Sequence, residues 1–319
     1  MKIMKIIIVL TGLFALFACE DNVNPNDQFS EQIALNCVIH GDSSYQVATV
    51  LRSFPFGEEL SLSESFVKNV QLRLWYDVEG EDDAFLFRDS IITVQDSDGN
   101  ETEVLFYYVN GVNVEPEKIM EIEAILPNGK RLFSSTTTPE RLTVSHDYFI
   151  PPEEFGRDYV HVEWYSPGGE RVVQANMMIK YSYNNNGVKE DREIIVPVEV
   201  NETNGNLVPS YPVPVLDKEI DFDMNAVDWA MEKISEGDPV KENYSIAGAE
   251  VTLLVYDKNL TGYFTSTNTI LDDYSIRIDE IDFSNIDGGL GLFGSFIEQK
   301  IELNFTSNYI MQYGYLIGK

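Results

Sequence analysis

Apolar and polar side chains alternate over much of this chain. In Val70-Gln71-Leu72-Arg73-Leu74-Trp75-Tyr76 the even positions are apolar, while Gln71 and Arg73 lie on the other side. The same pattern runs through Met120-Glu121-Ile122-Glu123-Ala124, Val160-His161-Val162-Glu163-Trp164 and Ile301-Glu302-Leu303-Asn304-Phe305. Side chains of an extended chain point alternately to opposite faces, so each run predicts a strand with one face buried. Ile33-Ala34-Leu35-Asn36-Cys37-Val38-Ile39 and residues 45–52, 84–94, 104–109, 131–137, 172–183, 193–200 and 250–256 are further strand candidates. Turn chemistry separates them at Asp96-Ser97-Asp98-Gly99-Asn100, Asn128-Gly129, Pro167-Gly168-Gly169 and residues 184–187. Many short strands with regular turns predict a mainly β fold of antiparallel sandwiches or an open barrel. Residues 29–140 fit an immunoglobulin-like β-sandwich. Residues 141–319 fit a larger, less regular antiparallel β domain with one or two short helices, and Pro151-Pro152-Glu153-Glu154 falls near the joint. One helix is well signalled: Asn225 as its cap, Asp228 in its first turn, Gly237 and Pro239 as its stop. Its apolar stripe of Val227, Ala230, Met231 and Ile234 reads as core packing rather than a partner groove. No internal repeat points to a solenoid.

The first residues follow a different logic. Lys2 and Lys5 precede an apolar run over residues 6–17, broken only by Thr11 and Gly12, and then come Ala18 and Cys19. A basic start, a short apolar stretch and a small residue at the cut are the marks of a secretory signal. The run holds about a dozen residues, against about 20 for a bilayer-crossing helix. Leu16-Phe17-Ala18-Cys19 resembles the bacterial lipobox, with Phe17 bulkier than is usual at its place. Residues 1–18 are therefore expected to be removed and Cys19 to carry the lipid; a plain secreted protein and a retained anchor are the alternatives. Residues 19–28 are polar with one proline and read as a tether. The acidic pair Glu20-Asp21 behind the cysteine resembles the surface-export signal of Bacteroidota lipoproteins, which implies display on the cell surface; the periplasmic face of the outer membrane is the alternative.

Charge narrows the partners. Acidic residues number 53 against 22 basic, a net −31, and loss of Lys2 and Lys5 takes the remainder to −33. Such a body repels nucleic acid and anionic lipid surfaces. The acidity reads either as a solvated surface that keeps an exported protein in solution or as attraction for cations or a basic partner. Of the two cysteines, Cys19 is assigned to the anchor, so Cys37 has no disulfide partner and reads as a small buried apolar residue rather than a reactive thiol.

Signals for catalysis are poor. His40, His146 and His161 have no metal-ligand neighbours at helical spacing, and no Gly-x-Ser-x-Gly, His-Glu-x-x-His or Cys-x-x-Cys motif occurs. No catalytic residue, metal site or cofactor is assigned. Counted from Asp96 as a calcium loop, the required glycine and glutamate positions hold Glu101 and Tyr107, so a hairpin turn is favoured. The 17 tyrosines and 18 phenylalanines serve either as core and cross-strand pairs or as an exposed platform for a sugar or peptide.

The most specific motif is Asn285-Ile286-Asp287-Gly288-Gly289-Leu290-Gly291-Leu292-Phe293-Gly294. Its glycines suit tight turns or close backbone approach. The stretch resembles the Asn-x-x-Gly-Gly-x-Gly-x-Phe-Gly signature of a Bacteroidota lipoprotein family, domain of unknown function 4249. Residues 35–41, Val67-Lys68-Asn69-Val70-Gln71-Leu72 and residues 130–139 are also similar to that family. Its tyrosine-rich helical segment before the motif has a thin counterpart in Tyr263-Phe264-Thr265-Ser266. The resemblance implies a structural role for Gly288, Gly289, Gly291, Phe293 and Gly294, no established enzymatic activity, and association with TonB-dependent outer-membrane receptors. The leading expectation is a non-enzymatic outer-membrane lipoprotein, anchored by its N-terminal lipid, that assists such a receptor in nutrient capture or uptake. A structural or adhesive surface lipoprotein is the alternative, and a hydrolase with an unrecognised site stands third.

Overall fold

The computed structural model describes residues 29–55, 62–78, 81–95, 99, 101–153, 156–267 and 283–318. The signal, Cys19, the tether, most of the turn around Asp96 and part of the proline-rich joint lie outside these residues. The fold is mainly β, built from several antiparallel sheets with few short helices.

The first eight strands are β1 (Ile33–His40), β2 (Gln46–Arg52), β3 (Gln71–Val78), β4 (Glu81–Leu86), β5 (Arg88–Gln95), β6 (Glu101–Val109), β7 (Ile119–Ile125) and β8 (Arg131–Thr137), with one helical turn, α1 (Leu62–Ser65), between β2 and β3. They form two sheets in the orders β1-β2-β6-β5 and β4-β3-β7-β8. This is the two-sheet arrangement of an immunoglobulin-like sandwich carrying one extra edge strand. The alternating positions meet between the sheets: Leu35, Ile39, Val50 and Tyr107 from one, Leu72, Leu74, Met120, Ile122 and Leu132 from the other. Buried Tyr107 satisfies its hydroxyl by donating to Val67 O at 2.7 Å and accepting from Val70 N at 3.2 Å. Buried Cys37 sits in this core, and its surroundings push the thiol well above its ordinary pKa. The stretch 84–94, expected as one strand, is two. Buried Phe87 interrupts it where the chain leaves one sheet for the other, so β4 and β5 have different neighbours.

The remainder contains β9 (Thr143–His146), β10 (Phe149–Ile150), β11 (Tyr159–Tyr165), β12 (Val173–Asn185), β13 (Val188–Val196), β14 (Glu199–Thr203), β15 (Asn206–Ser210), β16 (Glu219–Asp223), α2 (Met224–Lys233), β17 (Tyr244–Tyr256), α3 (Lys258–Thr267), β18 (Leu290–Phe305), α4 (Ser307–Gln312) and β19 (Leu316–Ile317). The sheet β16-β11-β9 and helix α2 close a second core against β12, β17 and the distal half of β18. Val160, Val162 and Phe222 come from one side, Val227, Ala230 and Met231 from the helix, and Met177, Ile179, Val251 and Leu253 from the large sheet. The α2 stripe is core, as its spacing predicts. The helix starts two residues earlier than expected: Asp223, not Asn225, is its cap residue, and no side chain caps it. Asp228 lies beyond the first turn, not in it as expected, because the helix begins at Met224; it accepts the hydroxyls of Tyr309 at 2.6 Å and Tyr313 at 2.5 Å, tying α4 to α2.

The two cores share a strand. β1 pairs in parallel with the first half of β18, from Ala34 opposite Leu290 to His40 opposite Phe296. From Phe296 to Leu303 the same strand pairs with β17. A ten-stranded sheet therefore runs across both halves of the sequence. Leu290–Phe305 shows the division in its own composition. Its first half is a nearly continuous apolar and glycine run, because both faces are covered; its second half alternates, because one face is wet.

Glu250 on β17 is 6% exposed and bonds Lys180 Nζ at 2.5 Å, with Lys300 Nζ at 3.5 Å on the other side. Burial raises its carboxyl, but the two ammonium groups outweigh that and hold it below the ordinary value of about 4.5. The folded state then binds this proton less readily than the unfolded chain, so the stabilisation is full above that value and lost as pH falls through the lower, folded one. The Glu250→Gln variant is expected to be less stable than wild type at pH 7, with the gap closing in acid unfolding curves taken below about pH 4.5.

Candidate functional site

The glycine motif lies where the two cores meet. Asn285 acts as a side-chain stand-in for a strand neighbour: its Oδ1 accepts from Phe293 N at 2.9 Å and its Nδ2 donates to Phe293 O at 2.7 Å. Asp287 pairs with Phe133 on the free edge of β8 through bonds of 2.8 and 3.0 Å, and Ser134 Oγ donates to Asn285 O at 2.6 Å. Residues 285–287 thus seal one sheet of the first sandwich, while residues 290–296 extend the other. Sequence order groups the motif with the C-terminal domain; in space it completes the N-terminal one.

Backbone crowding explains the glycines. A Cβ would lie 2.4 Å from Arg131 O at Gly288, 2.5 Å from Ile33 O at Gly289 and 2.1 Å from Leu35 O at Gly291. At Gly294 it would meet the Leu260 side chain at 2.6 Å. Gly291 also has a φ of +114°, which L side chains rarely adopt. Phe293, fully buried, inserts between these contacts into the first core, a burial that contributes about 1.5–3 kcal/mol.

Beside the motif is a residue that sequence reasoning missed. Asp257 is 1% exposed and lies between the end of β17 and the start of α3. Its Oδ2 accepts from Ser295 N at 2.6 Å, Ser295 Oγ at 2.9 Å and Thr136 Oγ1, while its Oδ1 accepts from Leu260 N at 2.8 Å. Its own N–H donates to Ser295 O at 2.9 Å. One carboxylate therefore joins β8, β17, β18 and the first turn of α3. Burial pushes its pKa up against the pull of these donors, and burial prevails. Asn259 adds donations to Ser135 O and Phe293 O, each at 3.0 Å. The overlooked signal was an aspartate set between an apolar strand and a helical segment, a capping position.

The histidines are placed apart. His40 packs on Phe296 with ring centres 4.8 Å apart. His146 Nδ1 lies 2.7 Å from Asp147 O, the ring nitrogen donating. His161, on the outward face of β11 as expected, has Nδ1 2.6 Å from Asp221 Oδ1. That face also sets Glu163 opposite Glu219, so it is strongly acidic. Asp223 beside it has its carboxyl raised, first by burial and then by Glu199, Asp158 and Asp221. Among the described residues no group of three or more His, Cys, Asp or Glu is arranged to hold a metal. A shallow cleft of about 170 Å³ is lined by Trp164, Tyr165, Arg171 and Lys218 among others. In its wall Arg171 pairs with Glu140, which also accepts from Ser166 Oγ at 2.5 Å and Gly168 N at 2.9 Å. No helix of the described residues is long and apolar enough to cross a membrane.

One surface feature was not foreseen. Residues 193–200, expected as a single strand, divide between β13 and β14, and β14 forms a hairpin with β15 around Asn204-Gly205. An Asn-Gly pair between strands is the commonest two-residue hairpin signal. Leu207 is 60% exposed, and Val208, Tyr211, Val213 and Leu216 also face solvent.

The junction makes a sharp contrast between glycines. Gly291→Ala forces carbon into the Leu35 carbonyl and is expected to cost 3 kcal/mol or more, on the order of a severe core lesion. Gly129→Ala, at φ +83° with open space around it, should cost about 1–2 kcal/mol. Asp257→Ala leaves the Ser295, Thr136 and Leu260 donors without their acceptor and should cost about 3 kcal/mol. Denaturant unfolding of the three variants checks this order; equal losses at Gly291 and Gly129 would refute it.

Comparison with known proteins leaves the geometry to speak for itself: no protein-family model matches the chain, and no curated protein matches it.

Proposed function

We propose that this protein is a non-enzymatic lipoprotein of the outer membrane, anchored through Cys19 and displayed on the cell surface, that assists a TonB-dependent receptor in capturing or importing a nutrient. The observation that carries this reading is the presence, in one chain, of Leu16-Phe17-Ala18-Cys19 with its acidic follower and of the motif Asn285-Ile286-Asp287-Gly288-Gly289-Leu290-Gly291-Leu292-Phe293-Gly294. The place of each motif residue in backbone packing supports treating that motif as a fold signature and not as a chemical one. A two-core β body offers loops and edges as binding surfaces, and such surfaces suit an accessory protein. The exposed apolar side chains of the β14–β15 hairpin favour a second reading as well, a structural or adhesive surface lipoprotein with no transport partner.

Affinity purification of the full-length protein from its own cells in mild detergent separates the two. A stoichiometric β-barrel receptor that is lost with Cys19→Ser is the expected result. Recovery of the lipoprotein alone, from cells that take up every nutrient normally but attach poorly, would replace the receptor reading with the adhesive one.

A further inference from the structure

The hairpin β14–β15 stands out because so little covers it. Every residue from Glu199 to Tyr211 is exposed except Val200 and Pro209, which are half-buried. Its two strands pair only with each other, from Glu199 opposite Ser210 to Thr203 opposite Asn206. The base is pinned by Val198 N donating to Ser210 O at 2.8 Å and Asp223 N donating to Val198 O at 2.9 Å. A two-stranded ribbon with both faces in water is marginally stable by itself. This one nevertheless carries Leu207 and Val208 toward solvent, and Tyr211, Val213 and Leu216 continue the apolar run along the chain. As successive strand residues, Leu207 and Val208 put large apolar side chains on both faces of the projecting arm, and exposed apolar surface of this kind marks a contact surface.

Charge selects the occupant. Residues 193–217 contain no lysine, arginine or histidine, while Glu193, Glu199, Glu202 and Asp217 are all in that stretch. Cross-strand pairing sets Glu202 beside Leu207 and Asn201 beside Val208, so acidic groups flank the apolar ones on the arm itself. A second copy would bring the same acidic arm, or a body of net charge −31, against it. An anionic lipid surface or a nucleic acid is repelled in the same way. Complementarity is met by a surface that is apolar at its centre and basic at its rim. We propose that the β14–β15 arm and the segment through Leu216 form a docking site for a protein partner with such a basic-rimmed apolar surface. The proposal goes beyond the receptor reading, because the arm takes a partner of this chemistry whether or not that partner is a transporter.

The test uses the full-length protein in its own cells. A photoreactive benzoylphenylalanine is placed at Leu207 or Tyr211, with the equally exposed Ile119 on β7 as a control position. After illumination the cross-linked peptides are mapped. The expected result is a discrete adduct from positions 207 and 211, absent from 119, whose partner segment is apolar and flanked by lysine or arginine. Its yield should fall at least tenfold in Glu199→Lys/Glu202→Lys, and also in wild type when salt is raised to about 1 M, where screening is nearly complete beyond about 3 Å. Adducts to a second copy, adducts to lipid alone, no discrete adduct, or a yield indifferent to charge reversal and salt would each overturn the proposal. A basic-rimmed partner that is not a β-barrel receptor would uphold the docking arm whatever the co-purification shows of the receptor, and a co-purifying receptor without such an adduct would overturn the arm alone, so the two ideas fail separately.

Discussion

Backbone-to-backbone contact along β18 is the constraint on which the other parts of this molecule depend. The strand must lie beside β1 for seven residue pairs and then beside β17 for eight. Both sets of ladder hydrogen bonds form only if residues 288–294 pass close to the carbonyls of Ile33, Leu35 and Arg131, and at three positions that leaves no room for a Cβ. Glycine loses more conformational entropy on folding than any other residue. Here that cost is offset by the ladders it permits and by Phe293, which enters the first core from a strand whose far end belongs to the second.

The junction is polar as well as close-packed. Asp257 gathers donors from β8, β18 and α3, and Asn285 replaces a missing strand neighbour of Phe293. Each satisfies backbone groups that would otherwise be buried without partners, and an unsatisfied buried donor costs about 1–3 kcal/mol. The third apolar cluster, of Val172, Tyr256, Leu260, Phe264, Leu292 and Phe296, packs α3 over the same crossing point. The crossing is therefore held by hydrogen bonds on one side and by apolar burial on the other. The surfaces proposed for partners lie elsewhere, on a hairpin that contributes little to either core, where side chains are free to be chosen for recognition.

Much of this was legible in the sequence because it is local. Alternation in residues 70–76, 120–124, 160–164 and 301–305 marked strands whose inward residues do form the cores, and the α2 stripe followed from spacing alone. The mainly β class and the sandwich of the first eight strands followed from those periods. What could not be read was long-range. Nothing near Ala34 says that its neighbour is Leu290, because pairing partners 256 residues apart leave no local period. The break at Phe87 was invisible for a related reason: the residues on either side are equally strand-like, and only the tertiary switch between sheets separates them. Asp257 looked like one more acidic residue among 53, since burial, which makes it special, is not a property of composition. The Asn204-Gly205 hairpin carries a local signal, the Asn-Gly pair, and its strands are short, with prolines at 209, 212 and 214 in and just beyond the second.

The central claim is that one shared strand makes two cores into one cooperative unit. Native-state hydrogen exchange of the wild-type protein under rising denaturant tests it most directly, with amides of Leu74 and Ile122 reporting on the first core and those of Val162 and Ile179 on the second. The account predicts that both sets converge on a single opening free energy at the same denaturant concentration, with the β18 amides among the last to exchange. Two separate isotherms, with one core fully protected while the other opens, would contradict it.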